Sequence, residues 1–132
     1  MSRTAILRLA SLPVALLCGL SAYWQLNDPD WVPWFVYYVS AAVAALLVPR
    51  HERGWQLAAA LCVVTLLWAG FIGREGLDPI TWEELTGDLS MKTLNVERWR
   101  EIGGLLLVMG MLGGLVAGAR LGVTRDEDAP SS

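Results

Sequence analysis

Two short polar segments hold the side chains that could do chemistry in this chain of 132 residues. They carry carboxyl, amide and guanidinium groups, on Gln25, Asn27, Asp28, Asp30, Glu97, Arg100 and Glu101. Carboxylate oxygens are the ligands that calcium, magnesium and manganese prefer. The four carboxylates are therefore candidates for a metal or proton site, although no metal-binding spacing motif points to a particular ion. These candidate ligands are Asp28, Asp30, Glu97 and Glu101.

The second polar segment places three charged residues on one face of a helix. Glu97, Arg100 and Glu101 are spaced i, i+3 and i+4, which makes them neighbours on a helical surface. Two carboxylates four residues apart repel each other unless a cation lies between them, and Arg100 can supply that cation. Arg100 can also form a bidentate ion pair with Asp28 or Asp30.

Three interpretations of this polar cluster stay open. The first, and the favoured one, is an interfacial ion-pair network that joins the two segments, because acidic residues near helix N-termini are stabilising without any further role. The second is a metal or proton site built from the carboxylates. The third is a site for a ligand, a lipid headgroup or a protein partner, since polar groups at membrane depth are costly to keep.

The elements that position these segments are apolar. The chain is 55% hydrophobic and 17% charged, a composition typical of membrane proteins. Windows without charged residues cover 9–27, 31–49, 54–73 and 102–119. Each is close to the roughly 20 residues that a helix needs to cross ~30 Å of hydrocarbon. The sequence predicts an all-α, integral membrane four-helix bundle over residues 1–122, with an extramembrane loop at 74–101 and a disordered polar tail at 123–132.

Local signals predict how several helices begin. Asp28 is a candidate N-cap of the second helix, with Pro29 at the first helical position. Thr81 and Glu84 have the spacing of a capping box, which predicts a short helix in the loop. Asn95 is a candidate N-cap of the fourth spanning helix.

The distribution of positive charge predicts the orientation in the membrane. The two termini and the 50–53 loop share one side and carry Arg3, Arg8, Arg50, Arg53, Arg120 and Arg125. The other side carries Arg74, Lys92, Arg98 and Arg100 among many carboxylates. Positive charge is retained in the cytoplasm, so both termini should be cytoplasmic and the polar cluster non-cytoplasmic. Aromatic residues that favour the headgroup level flank the same face, namely Trp24, Trp31, Trp34, Trp82 and Trp99.

The fourth window has a glycine face formed by Gly110, Gly114, Gly118 and Gly122. Small residues at every fourth position let helix backbones approach closely in lipid. We expect this face to pack against the other helices of the chain; the alternative is a contact with a protein partner or with a second copy in a homo-oligomer.

Composition and motifs narrow the classes of function. A net charge of −3 without a basic patch argues against nucleic acid as a partner. No CxxC, nucleophile elbow, phosphate loop or HExxH motif is present, so no catalytic residue is assigned, any cofactor is unknown and a non-enzymatic role is favoured. We expect a small scaffold or accessory subunit in the lipid bilayer. The alternative is a metal- or small-ligand-binding membrane protein, conceivably an enzyme, that uses the four carboxylates.

Two blocks of the sequence resemble the motifs of the transmembrane protein 220 family. The first is Gln25-Leu26-Asn27-Asp28-Pro29-Asp30 with Trp34 and Tyr37, and the second is Glu97, Arg100-Glu101 and Gly104-Leu105-Leu106. The sequence departs from the family pattern at Arg98-Trp99. The resemblance covers roughly residues 10–115 and implies a small helical membrane protein whose motif positions are the two polar segments. It implies no particular reaction, cofactor or partner. We expect the protein in a bacterial inner (plasma) membrane.

Overall fold

The computed structural model describes residues 2–86 and 94–127, with side chains described as far as Leu121. Within these residues the chain forms helices and no strand. The helices are α1 (Arg3–Gln25), α2 (Trp31–Leu47), α3 (Gly54–Gly73), α4 (Trp82–Thr86) and α5 (Leu94–Glu127).

Three of these helices are long and apolar enough to cross a membrane: α1, α3 and the part of α5 from Leu94 to Leu121. The fourth, α2, is apolar but has 17 residues. At 1.5 Å per residue it reaches roughly 26 Å, slightly less than the hydrocarbon thickness. The predicted all-α membrane bundle is confirmed. Its orientation in the membrane and the domain boundary at residue 122 stay predictions.

The bundle consists of two closely packed helix pairs, α1 with α2 and α3 with α5. The pairs meet where α1 lies along α5 and α2 along α3. Small buried residues of α2, Ala41, Ala44 and Ala45, permit close approach at the centre, and Leu105 and Leu112 of α5 are fully buried there. Because consecutive spans run in opposite directions, the α1–α2 turn and the start of α5 lie at the same end of the bundle.

The helix ends differ from the sequence predictions at two of three places. The capping box is confirmed, because the Glu84 backbone N–H donates to Thr81 Oγ1 (3.1 Å) and the Thr81 N–H donates to Glu84 Oε2 (3.4 Å). Asp28 does not cap α2. Its N–H donates to the Gln25 carbonyl (2.9 Å), which continues α1 into a turn and leaves Asp30 at the N-cap position.

Asn95 lies inside the first turn of α5 rather than at its cap. Its side chain instead clamps the backbone of Asp78, accepting from the Asp78 N–H (3.0 Å) and donating to the Asp78 carbonyl (3.1 Å). Trp99 Nε1–H donates to the same carbonyl (2.7 Å), and Arg98 pairs with Glu75. The start of α5 is thereby fixed to the chain that follows α3.

The described part of α5 also runs beyond the predicted span at its C-terminal end. Residues 123–127, which the sequence assigned to a disordered tail, continue the helix. They contain neither Pro nor Gly, the residues that most disfavour a helix, and each added residue gains a backbone hydrogen bond. The remainder of the predicted tail lies outside the described residues, as do residues 87–93 of the predicted loop.

Candidate functional site

A cleft of about 230 Å³ opens between the α1–α2 turn and the first turns of α5. Its lining residues are Gln25, Asp28, Pro29, Asp30, Trp34, Tyr38, Glu97, Arg100 and Glu101. The structure therefore brings together the candidate residues of both polar segments, with one exception. Asn27 does not line the cleft and is exposed on the turn.

The inner part of the cleft is aromatic. Trp34 and Tyr38 lie one helical turn apart on α2, and only 7% and 9% of their surfaces are exposed. The Trp34 ring stacks on Trp68 of α3 with the ring centroids 4.4 Å apart, and on Tyr38 at 6.2 Å. Sequence reasoning did not place these two rings in the site. A signal was present, because Asp30, Trp34 and Tyr38 are each four residues apart on one helical face.

Tyr37, the neighbour of Tyr38 in the sequence, also joins α2 to α3. The Tyr37 hydroxyl and Thr65 Oγ1 lie 2.7 Å apart between α2 and α3, and Thr65 Oγ1 donates its single hydrogen to the Leu61 carbonyl (2.7 Å). Tyr37 is therefore the donor in the bond between the two helices. Its ring also meets the Trp68 ring edge-on, with centroids 5.5 Å apart. The contacts of Tyr37 thus help to hold α2, which carries Trp34 and Tyr38, against α3.

The polar atoms of Trp34 and Tyr38 have no hydrogen-bond partner within the described part of the chain. Among the described residues, every side-chain nitrogen or oxygen that is fully buried has a hydrogen-bond partner. Because these two atoms have none, they are not fully buried and contact solvent. Both residues line the cleft. Gly104 of α5 makes room for the Tyr38 hydroxyl, because a Cβ at Gly104 would come within 3.2 Å of it.

The carboxylates of the cleft are not neutralised by ion pairs between described residues. The side-chain carboxylates of Asp28, Asp30, Glu97 and Glu101 make no hydrogen bond or ion pair with described residues, although Glu97 and Glu101 are half-buried. Arg100 does not pair with Asp28 or Asp30; its Nε–H donates to the Leu85 carbonyl (2.9 Å). Two ion pairs that the sequence allowed are therefore absent from the described contacts, while the ion-pair network as a whole stays a prediction.

The cleft also does not assemble a metal site from described residues. No group of three or more His, Cys, Asp or Glu side chains comes close enough there to hold one metal ion. Calcium and magnesium need several oxygens at roughly 2.0–2.6 Å. The four candidate ligands Asp28, Asp30, Glu97 and Glu101 surround a wider space.

The glycine face behaves differently along its length. A Cβ at Gly118 would come within 2.8 Å of Leu7 Cδ2, so this glycine lets α1 and α5 approach closely. At Gly110 and Gly114 a Cβ would meet no described atom within 4 Å, and both residues are exposed. Gly118 thus lies against α1, whereas Gly110 and Gly114 have open space beside them, and the role of the whole face in packing stays a prediction. Gly122 lies beyond the residues whose surroundings are described.

The comparison of the sequence with known protein families covers both polar segments. A family model described as "Transmembrane family 220, helix" matches residues 17–117, which is more than half of the chain and includes every residue that lines the cleft. No curated protein and no solved structure matches the chain. The expectation drawn from the two motif blocks is confirmed: the chain belongs to transmembrane family 220.

Proposed function

We propose that this protein is a ligand-binding integral membrane protein whose site is the cleft between the α1–α2 turn and α5. The observation that carries the proposal is a single cleft lined by carboxylates without described ion pairs and by two buried side chains, Trp34 and Tyr38, whose polar atoms have no described partner. No catalytic role is assigned to any of these residues.

The proposal follows from the cost of these groups in the absence of a ligand. A half-buried carboxylate such as Glu101, which lies among like charges and has no ion pair with a described residue, lowers the stability of a fold. Natural sequences break local rules of this kind mainly at functional sites. A ligand that brings positive charge and hydrogen-bonding groups into the cleft would compensate for this loss of stability.

The substitution Glu101→Gln tests this proposal with two readouts on the full chain in lipid nanodiscs. In the absence of ligand the variant should be more stable by about 1 kcal/mol, because an unpaired half-buried charge is removed. Native mass spectrometry should show a small molecule retained by the natural chain and at least about tenfold less of it on the variant. Glu52→Gln is the control, since Glu52 lies at the opposite end of the bundle.

Two results would count against the cleft as a binding site. One is a chain that carries no added mass in any lipid mixture tested. The other is a bound molecule that Glu101→Gln and Glu52→Gln retain equally.

A scaffold or accessory subunit is the second candidate function, and the lipid-facing glycines favour it. Gly110 and Gly114 offer a flat stripe on α5 that no described part of the chain covers. Such a stripe suits close packing against a helix of a protein partner or of a second copy.

Gly114→Leu tests the scaffold function. The variant should associate about tenfold more weakly in bilayers, because the bulky side chain keeps the helices apart. Fluorescence energy transfer between labelled chains measures the association. Gly19→Leu is the matched control, because Gly19 also has no described atom within 4 Å of its Cβ position but lies on α1. Equal association of the two variants contradicts this function.

We further propose that the cleft faces away from the cytoplasm in a bacterial inner membrane. The support is the arginine distribution, with Arg50 and Arg120 lining a pocket at the other end of the bundle. A membrane-impermeant thiol reagent added outside intact cells should label Asn27→Cys and leave His51→Cys unlabelled, both made on a background without Cys18 and Cys62. The reverse labelling pattern contradicts the orientation.

A further inference from the structure

The charge balance of the cleft indicates the sign of its ligand. Four carboxylates and one guanidinium line it, so its ionised lining carries an excess of negative charge. Glu97 and Glu101 share one face of α5, while Asp28 and Asp30 approach from the α1–α2 turn. Acceptors therefore surround the cleft from two elements, and a cation that donates hydrogen bonds in several directions suits them.

The spacing of the carboxylates selects the kind of cation. Because no three of the described ligand-type side chains converge on one point, a compact divalent ion does not gain the short oxygen contacts that it needs. A primary ammonium is larger, carries three N–H donors and forms hydrogen bonds of roughly 2.7–2.9 Å to separate carboxylates. A quaternary ammonium has no N–H donor and cannot make these bonds.

Trp34 and Tyr38 indicate a second feature of the ligand. Both residues are at least nine-tenths buried and line the cleft, and their indole N–H and hydroxyl have no described partner. An indole N–H can only donate, so a ligand that displaces solvent from it has to offer an acceptor in return. An ammonium has no acceptor, and a ligand with an oxygen close to its positive charge therefore suits both groups.

We infer that the cleft binds an amino alcohol group, a primary ammonium with a neighbouring oxygen, with the carboxylates around the ammonium and with Trp34 and Tyr38 on the oxygen. This inference rests on the proposed ligand-binding function and names its ligand class. Ethanolamine has this chemistry both as a free molecule and as the headgroup of phosphatidylethanolamine. A cleft of about 230 Å³ is below the range of roughly 300–1,000 Å³ typical for drug-sized ligands and suits a group of headgroup size.

The experiment compares matched amines on the full chain. In one arm, nanodiscs or micelles contain phosphatidylethanolamine or phosphatidylcholine in equal amounts, and native mass spectrometry measures the retained lipid. In the other arm, free ethanolamine or choline is added to chain in phosphatidylcholine nanodiscs, and the rise in unfolding temperature is measured. Each pair differs only in methylation of the nitrogen.

We expect the ethanolamine member of at least one pair to bind about tenfold better than its choline counterpart. A preference in the lipid arm identifies the source as a headgroup, and a preference in the free-amine arm identifies it as a soluble amine. Tyr38→Phe, which removes only the hydroxyl, and Glu101→Gln should each weaken that binding about tenfold. Glu52→Gln should leave it unchanged.

Equal binding of the ethanolamine and choline members overturns the ligand class. If another molecule is nevertheless retained and is lost on Glu101→Gln, the proposed binding function stands without this ligand class. If no molecule is retained by any variant, and Glu101→Gln only raises stability, both fail together.

Discussion

Replacing Trp34 by alanine is expected to lower the free energy of unfolding by about 3 kcal/mol, the low end of the range for large aromatic residues in protein cores. Trp34 is 7% exposed and stacks on both Trp68 and Tyr38, so its loss leaves a cavity between α2 and α3. The low end applies because lipid removes most of the hydrophobic driving force between helices, which leaves mainly van der Waals contact to be lost. Reversible unfolding of the detergent-solubilised chain, followed by circular dichroism, measures the change.

Trp82→Ala is the matched control for this prediction. Trp82 has the same side chain but is 75% exposed on α4, and its removal should change the free energy of unfolding by less than about 0.5 kcal/mol. If both variants lower the free energy of unfolding by a similar amount, the stacking of Trp34 on Trp68 and Tyr38 does not stabilise the bundle as predicted.

Gly54→Ala is expected to destabilise the bundle by about 2–3 kcal/mol, the upper part of the range for overpacked sites. Gly54 begins α3, where a Cβ would lie 2.2 Å from the Leu47 carbonyl oxygen and 2.8 Å from the Val48 nitrogen. Both atoms are backbone, so the α2–α3 connection must move to relieve the clash. The change is measured by the same unfolding experiment, with the yield of folded chain from membranes as a second readout.

Gly19→Ala serves as the control for Gly54→Ala. No described atom lies within 4 Å of its Cβ position, and alanine favours a helix over glycine by up to about 1 kcal/mol. This variant should be equal to or more stable than the natural chain. A Gly54→Ala variant of unchanged stability would contradict the close approach of the two backbones.

Hydropathy predicted the bundle better than it predicted the helix ends. The third window, 54–73, coincides with α3, whereas α1 begins at Arg3 and α5 extends from Leu94 to Glu127. Charged residues mark where hydrocarbon ends but do not stop a helix, because the backbone hydrogen bonds continue in water. The α1–α2 turn was located from its Asp and Pro residues, although the N-cap position is Asp30 rather than Asp28, and the Asp30 side chain makes no capping hydrogen bond.

The juxtaposition of the polar segments could be predicted, because both were assigned to one side of the membrane. The residues that these segments contact could not be predicted. Trp34 was expected at the headgroup level, and interfacial preference does not distinguish a ring that faces lipid from one that faces the bundle. The acceptor of Arg100, the Leu85 carbonyl, depends on how the chain after α3 folds back, and no periodic pattern encodes that path.

The glycine face shows a similar limit. Residues four apart on an α-helix are rotated by roughly 40° relative to each other, so a stripe of such residues winds around the axis. Gly110 and Gly114 consequently face outward, while Gly118 reaches Leu7 on α1. The spacing predicts a surface for close approach, and the neighbouring helix of the fold decides which part of it is used.

The cleft draws its walls from both helix pairs, because the α1–α2 turn belongs to one pair and the start of α5 to the other. A molecule held there would add a further link between two halves that already meet through the Trp34–Trp68 stack and the Tyr37–Thr65 hydrogen bond. Binding to the folded chain alone adds about 2.7 kcal/mol of stability at a hundredfold excess over the dissociation constant. We therefore expect the abundance of the folded chain in the membrane to rise with the supply of the molecule that we propose it binds.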